Sequence, residues 1–104
     1  MVLDVYKASK SFPRDEAYGL TSQMRRASVS IGANIAEGSC RKGDLEFGRF
    51  LYIAMGSASE LEYELLVARD LELLKPSDYH RLSGEATEVK RMLASLIFGL
   101  KADG

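Results

Sequence analysis

The sequence predicts an all-α protein: an antiparallel up-and-down four-helix bundle with a short first helix, filling residues 1–104 as one domain. Three observations predict it. Apolar residues recur at helical spacing along nearly the whole chain, and no stretch alternates for long enough to suggest a strand. The 104 residues leave room for a single core. The connections between the periodic stretches are short, which favours antiparallel neighbours.

The first helix is expected over about Val2 to Ser11, with Val2, Val5, Ser9 and Phe12 along one side. Pro13 restricts Phe12 to extended geometry and stops it. The second covers about Gly19 to Glu37, its stripe running Leu20, Met24, Ala27, Ile31 and Ile35, with Gly38 suited to a left-handed residue past its end. The third runs from Asp44 to Leu74 on a seam of Phe47, Phe50, Ala54, Ala58, Leu61, Leu65 and Ala68, widened by Leu51, Met55, Leu66 and Leu73. The fourth begins at Pro76 or Ser77 and ends near Lys101. Its series Tyr79, Leu82, Ala86, Val89, Leu93, Leu96 and Leu100 is the most heptad-like in the chain. A first helix so short cannot cover the full length of the third. Part of an apolar groove is therefore left for another chain, or for the loop from Phe12 to Tyr18, to close.

Composition narrows the class. At 46% hydrophobic and 28% charged the chain is ordinary for a globular protein, with no apolar run near the roughly 18 residues a membrane helix needs. No membrane partner is expected. A net charge of −1 gives the whole molecule no preference for nucleic acid or anionic lipid, so any such binding is local. The single cysteine, Cys40, fits a reducing cytoplasm, and the N-terminus lacks a signal peptide's basic start and apolar core.

The stretch from Tyr18 to Ser39, YGLTSQMRRASVSIGANIAEGS, is followed by Arg41-Lys42, Glu46-Phe47, Arg49-Phe50-Leu51 and Ala54 to Glu62. It resembles the four-helix-bundle proteins encoded in intervening sequences of bacterial 23S ribosomal RNA genes, together with the related accessory proteins of diversity-generating retroelements. The match covers roughly residues 12 to 100. The resemblance implies a bundle that assembles into a homopentameric ring or barrel, without enzymatic activity and with a nucleic-acid or ribonucleoprotein role. Departures from the family pattern are a shorter first helix, Gly43 where Ser often completes a capping box with Glu46, and Gly48 in place of a larger residue, where it would permit close backbone approach.

Arg25 and Arg26 in the second helix, Arg41 and Lys42 in the turn after it, and Arg49 in the third are the candidate nucleic-acid-binding residues. From Tyr18 to Gly43 four cations face Glu37 alone. A ring of subunits would repeat these clusters into a multivalent, salt-sensitive phosphate surface. The competing reading is ion pairing, for example of Arg26 or Arg49 with the acidic run Glu60, Glu62, Glu64, Asp70 and Glu72. Glu60 and Glu64 share a face, but the Glu-x-x-His partners of a carboxylate metal site are missing, and His80 reads as a surface residue. No metal or other cofactor is expected. With one histidine no Ser-His-acid or Cys-His arrangement forms, so no catalytic residue and no small-molecule substrate is proposed. Asn34 and Glu37 read as structural, and the small residues Ala54 to Ser59 fit either an intrachain or a subunit contact. The expected function is a non-enzymatic cytoplasmic homo-oligomer that binds RNA, DNA or a ribonucleoprotein; the alternative is a protein scaffold without nucleic-acid binding.

Overall fold

The computed structural model describes residues 1–103, with side chains at all of these except 15–18 and 101–103. It contains four helices, α1 (Val2–Ser9), α2 (Arg14–Ser39), α3 (Asp44–Asp70) and α4 (Pro76–Asp103), and among the described residues no strand. The bundle is elongated, 47 × 20 × 17 Å. α3 is central, packed along both α2 and α4, while α1 lies against α2 and α4 and does not approach α3.

The core follows the predicted seams. Met24, Ala27 and Ile31 of α2 meet Leu51, Ala54, Ala58, Leu61, Leu65 and Ala68 of α3, and Leu82, Ala86, Leu93 and Ile97 of α4 close the other side. Small residues divide by face: Ala54 and Ala58 are buried, Ser57 meets Ser30 of α2 at 2.8 Å, and Gly56 and Ser59 point to solvent. Asn34 is half-buried and donates to the Ser30 carbonyl and hydroxyl, so it supports this α2–α3 contact. Between α3 and α4, Lys90 pairs with Glu62 at 2.8 Å and Arg69 lies 4.7 Å over the Tyr79 ring.

Several boundaries differ from expectation, each for a local reason. α1 stops at Ser9, two residues early. α2 starts five residues before Gly19, because Pro13 occupies the position ahead of a helix rather than in a long loop. The loop proposed from Phe12 to Tyr18 shrinks to Lys10–Pro13 accordingly; the Tyr18 side chain lies outside the described residues. Gly38 is helical, and the left-handed residue of that turn is Gly43, at φ +89°. Gly38 serves a different need: a Cβ there would lie 2.6 Å from Phe50 Cβ and 3.0 Å from Phe47 Cδ1, so its missing side chain sets the closeness of α2 to α3. Gly48 permits no such approach, since a Cβ there would make an ordinary 3.8 Å contact with Leu100.

α3 ends at Asp70 instead of Leu74. Leu73 N–H donates to the Ala68 carbonyl and Glu72 N–H to the Arg69 carbonyl, both at 2.9 Å, the two bonds of a Schellman stop. Glu72 takes the left-handed position, φ +61°, where glycine is usual. On α4 the heptad reading fails at its end. Leu96 is 40% exposed and Ile97 is buried in its place, because a straight helix of 3.6 residues per turn drifts by about 20° per heptad.

Candidate nucleic-acid interface

The five sequence-predicted cations fall in two groups. Arg25 and Arg26 sit midway along α2, whereas Arg41, Lys42 and Arg49 cluster where α2 turns into α3, some 22 Å of helix away. At the turn, Arg41 bonds Glu37 at 2.5 Å and lies 5.3 Å over the Phe50 ring, and Arg49 bonds Glu46 at 3.0 Å. Glu37 is thereby committed to Arg41. Lys42 is exposed and has no ion pair among the described residues.

Arg25 fastens α1 to α2. Its Nε donates to Ser9 Oγ at 3.0 Å, a second nitrogen donates to the Tyr6 carbonyl at 3.5 Å, and its guanidinium lies 4.5 Å over the Tyr6 ring. Buried Ser9 passes the interaction on by donating to the Val5 carbonyl. Arg26 points outward to Glu60 at 3.4 Å, with both side chains well exposed. Pairs of that kind contribute about 0–1 kcal/mol and are easily exchanged for another anion.

Beside Arg25 the turn Lys10–Pro13 and the outer face of α2 enclose a cleft of about 910 Å³. Lys10, Arg14, Arg25 and Arg26 line it together with Tyr6 and the hydroxyls of Thr21, Ser22 and Ser30, and no carboxylate is among its described lining residues. A concave surface of one charge sign strengthens the local field and attracts anions even on a molecule of net charge −1. Sequence reasoning missed Tyr6, Lys10 and Arg14. The readable signal was the spacing of Arg14 and Arg25: eleven positions are three helical turns and place both on one face, but only if α2 is taken to begin at Arg14.

Two acids outside the cleft are raised by burial. Glu64 on α3 is 3% exposed, and one of its oxygens finds no hydrogen-bond partner. Burial pushes its carboxyl from 4.5 up to about 7, with the hydrogen bond and charge of Glu60 adding to the rise and Arg26 opposing it. Glu60 thus faces Arg26 on one side and Glu64 on the other. Glu85 on α4 is likewise raised, first by burial and then by the neighbouring Asp4 carboxyl at the start of α1, and one of its oxygens finds no hydrogen-bond partner. Among the described residues no three His, Cys, Asp or Glu side chains gather as a metal site. His80 is exposed and edge-on to Tyr79, and Cys40 is an exposed thiol.

A second, apolar groove of about 380 Å³ runs between the start of α3 and the end of α4, lined by Leu45, Gly48, Tyr52, Ile97 and Leu100 with Asp44 and Arg49 at its rim. Large apolar side chains also face solvent elsewhere, led by Phe98, Leu3 and Tyr63. No described helix is long and apolar enough to cross a membrane.

Comparison with known proteins agrees with the four-helix fold. A family model described as 23S rRNA-intervening sequence protein matches residues 1–95. The chain is also similar to a protein of unknown function from the S23 ribosomal protein family of Bacteroides thetaiotaomicron, whose crystal structure was determined at 1.70 Å. The TM-score is 0.80 at 28% identity, over 92% of this chain and 87% of that one. No curated protein matches.

Proposed function

Because the chain belongs to the 23S rRNA-intervening sequence protein family, we propose that it is a non-enzymatic, cytoplasmic homo-oligomer that binds nucleic acid, alone or within a ribonucleoprotein, through the cationic cleft between α1 and α2. The observation that carries this reading is the convergence of Lys10, Arg14, Arg25 and Arg26 on one concavity without a described carboxylate. Oligomerisation, expected to be pentameric from the family resemblance, is supported by the exposed apolar side chains Leu45, Phe98, Leu3 and Tyr63. Repetition around a ring multiplies a weak cleft into a multivalent surface. Arg41, Lys42 and Arg49 form a second, weaker cationic edge, two of its members already paired with the chain's own glutamates.

That pairing, with the apolar groove at Leu45 and Leu100, favours the second reading: a scaffold that contacts protein alone. Mobility-shift titration separates the two. The nucleic-acid reading expects a complex at low salt whose log affinity falls linearly with log salt. Absence of a complex at low salt would leave the scaffold. Light scattering tests the assembly separately, with five copies of 11.5 kDa giving about 58 kDa and a mass of one chain removing the multivalent argument.

A further inference from the structure

We propose that the α1–α2 cleft is built for a single strand: an unpaired base stacks on Tyr6 beside Arg25 while Lys10, Arg14 and Arg26 hold the flanking phosphates. The inference rests on the nucleic-acid reading above and names the form of nucleic acid. Tyr6 is the observation that points to it. The buried side of α1 is formed by Val5 and Ser9, and Tyr6 is not part of the core. Its ring stands in the cleft wall, 42% exposed, with a guanidinium 4.5 Å over it. An aromatic ring in a cationic groove is the arrangement that receives unpaired bases, because every base offers a stacking face whatever its sequence.

A duplex cannot use it. Its bases are already stacked on each other, and the deep major groove of an RNA helix is closed to side chains, so paired nucleic acid would meet only the cations. The cations also have the reach for a strand: Arg14 and Arg25, three turns apart, are roughly 16 Å apart along α2, with Thr21 and Ser22 offering hydroxyls between them. Lys10 and Arg14 have no ion pair among the described residues, and Arg26 holds Glu60 only at the surface, so phosphates need displace little.

Fluorescence anisotropy on the full chain tests the inference with a labelled mixed-sequence RNA of roughly 12 nucleotides, the DNA of the same sequence, and the RNA duplex. The single strand is expected to bind at least tenfold more tightly than the duplex. Tyr6→Ala is expected to weaken single-strand binding roughly tenfold while leaving duplex binding unchanged, and Tyr6→Phe to restore it. Because Tyr6→Ala removes part of the Arg25 contact, Arg14→Gln on the opposite wall serves as a second variant and is expected to weaken strand and duplex alike. Either backbone bound more tightly than the duplex supports the strand reading, and a preference between RNA and DNA identifies the backbone. Duplex bound as tightly as single strand, with Tyr6→Ala neutral, overturns this inference and leaves the nucleic-acid reading standing. No binding of any probe at low salt overturns both.

Discussion

Replacing Glu64 with Gln should make the protein more stable at alkaline pH and leave it unchanged at acid pH. Glu64 is almost wholly buried on α3 beside Glu60, and its carboxyl is raised from 4.5 to about 7. The folded chain therefore holds this proton more tightly than the unfolded chain. The stability it contributes is full below pH 4.5, erodes as pH rises, and is lost above about 7. That gap, at about 1.4 kcal/mol per pH unit, amounts to about 3 kcal/mol. Since part of the rise belongs to the neighbouring Glu60 charge and not to Glu64 alone, about 2 kcal/mol is the expectation for this residue. Glu64→Gln keeps a neutral side chain that can still donate to Glu60. At pH 8 the variant should exceed the wild type by about 2 kcal/mol, or roughly 10 °C in melting temperature for a chain of this size; at about pH 4, below the unfolded value of 4.5, the two should coincide. Thermal melts by circular dichroism at fixed protein concentration measure this. Glu85 is shifted in the same direction, so the variant keeps a residual slope of its own. Parallel wild-type and variant curves from pH 5 to 8 would refute the reasoning, by showing that Glu64 is charged and solvated in the folded state.

Three other outcomes follow from local geometry. Gly38→Ala should cost about 1–3 kcal/mol in guanidinium unfolding, because the new methyl meets Phe50, whereas Gly56→Ala, with nothing within 4 Å, should stabilise by up to about 1 kcal/mol. Glu72→Gly should stabilise by about 0.5–1 kcal/mol in urea, since the Schellman position is left-handed; no gain would mean that α3 ends differently in solution. Arg25→Ala should raise amide hydrogen exchange at residues 5–9 of α1 roughly tenfold while Leu61 and Leu65 stay protected, and uniform loss of protection would show that α1 is no separate unit.

Much of the fold was legible because burial on a helix has a period. The seams Met24-Ala27-Ile31 and Ala54-Ala58-Leu61-Leu65 could be read directly and are buried as expected. What escaped was decided by other physics. The start of α2 carries no apolar stripe, only Arg14 and the residues after it, so periodicity was silent there. The stop at Leu71 depends on two backbone hydrogen bonds and a left-handed glutamate, in a stretch whose leucines continue the apolar pattern. Leu96 and Ile97 exchange roles through a drift that a strict heptad ignores. Gly38 is small because of Phe50, twelve positions on across a turn, and only the packing of two helices reveals it. The candidate site followed the same rule. Arg25 and Arg26 were found by type, but their partners Lys10, Arg14 and Tyr6 become neighbours only once α1 folds back over α2.

The most direct test of the cleft is the salt dependence of binding to a single strand by the wild type, by Lys10→Gln/Arg14→Gln, and by Lys42→Gln/Arg49→Gln. If the phosphates lie between α1 and α2, the first double variant should flatten the slope of log affinity against log salt by about 1.4, at about 0.7 for each phosphate no longer neutralised, and the second should leave it nearly unchanged. A slope flattened by the Lys42 and Arg49 variant and untouched by the other would place the nucleic acid at the α2–α3 turn and contradict the account.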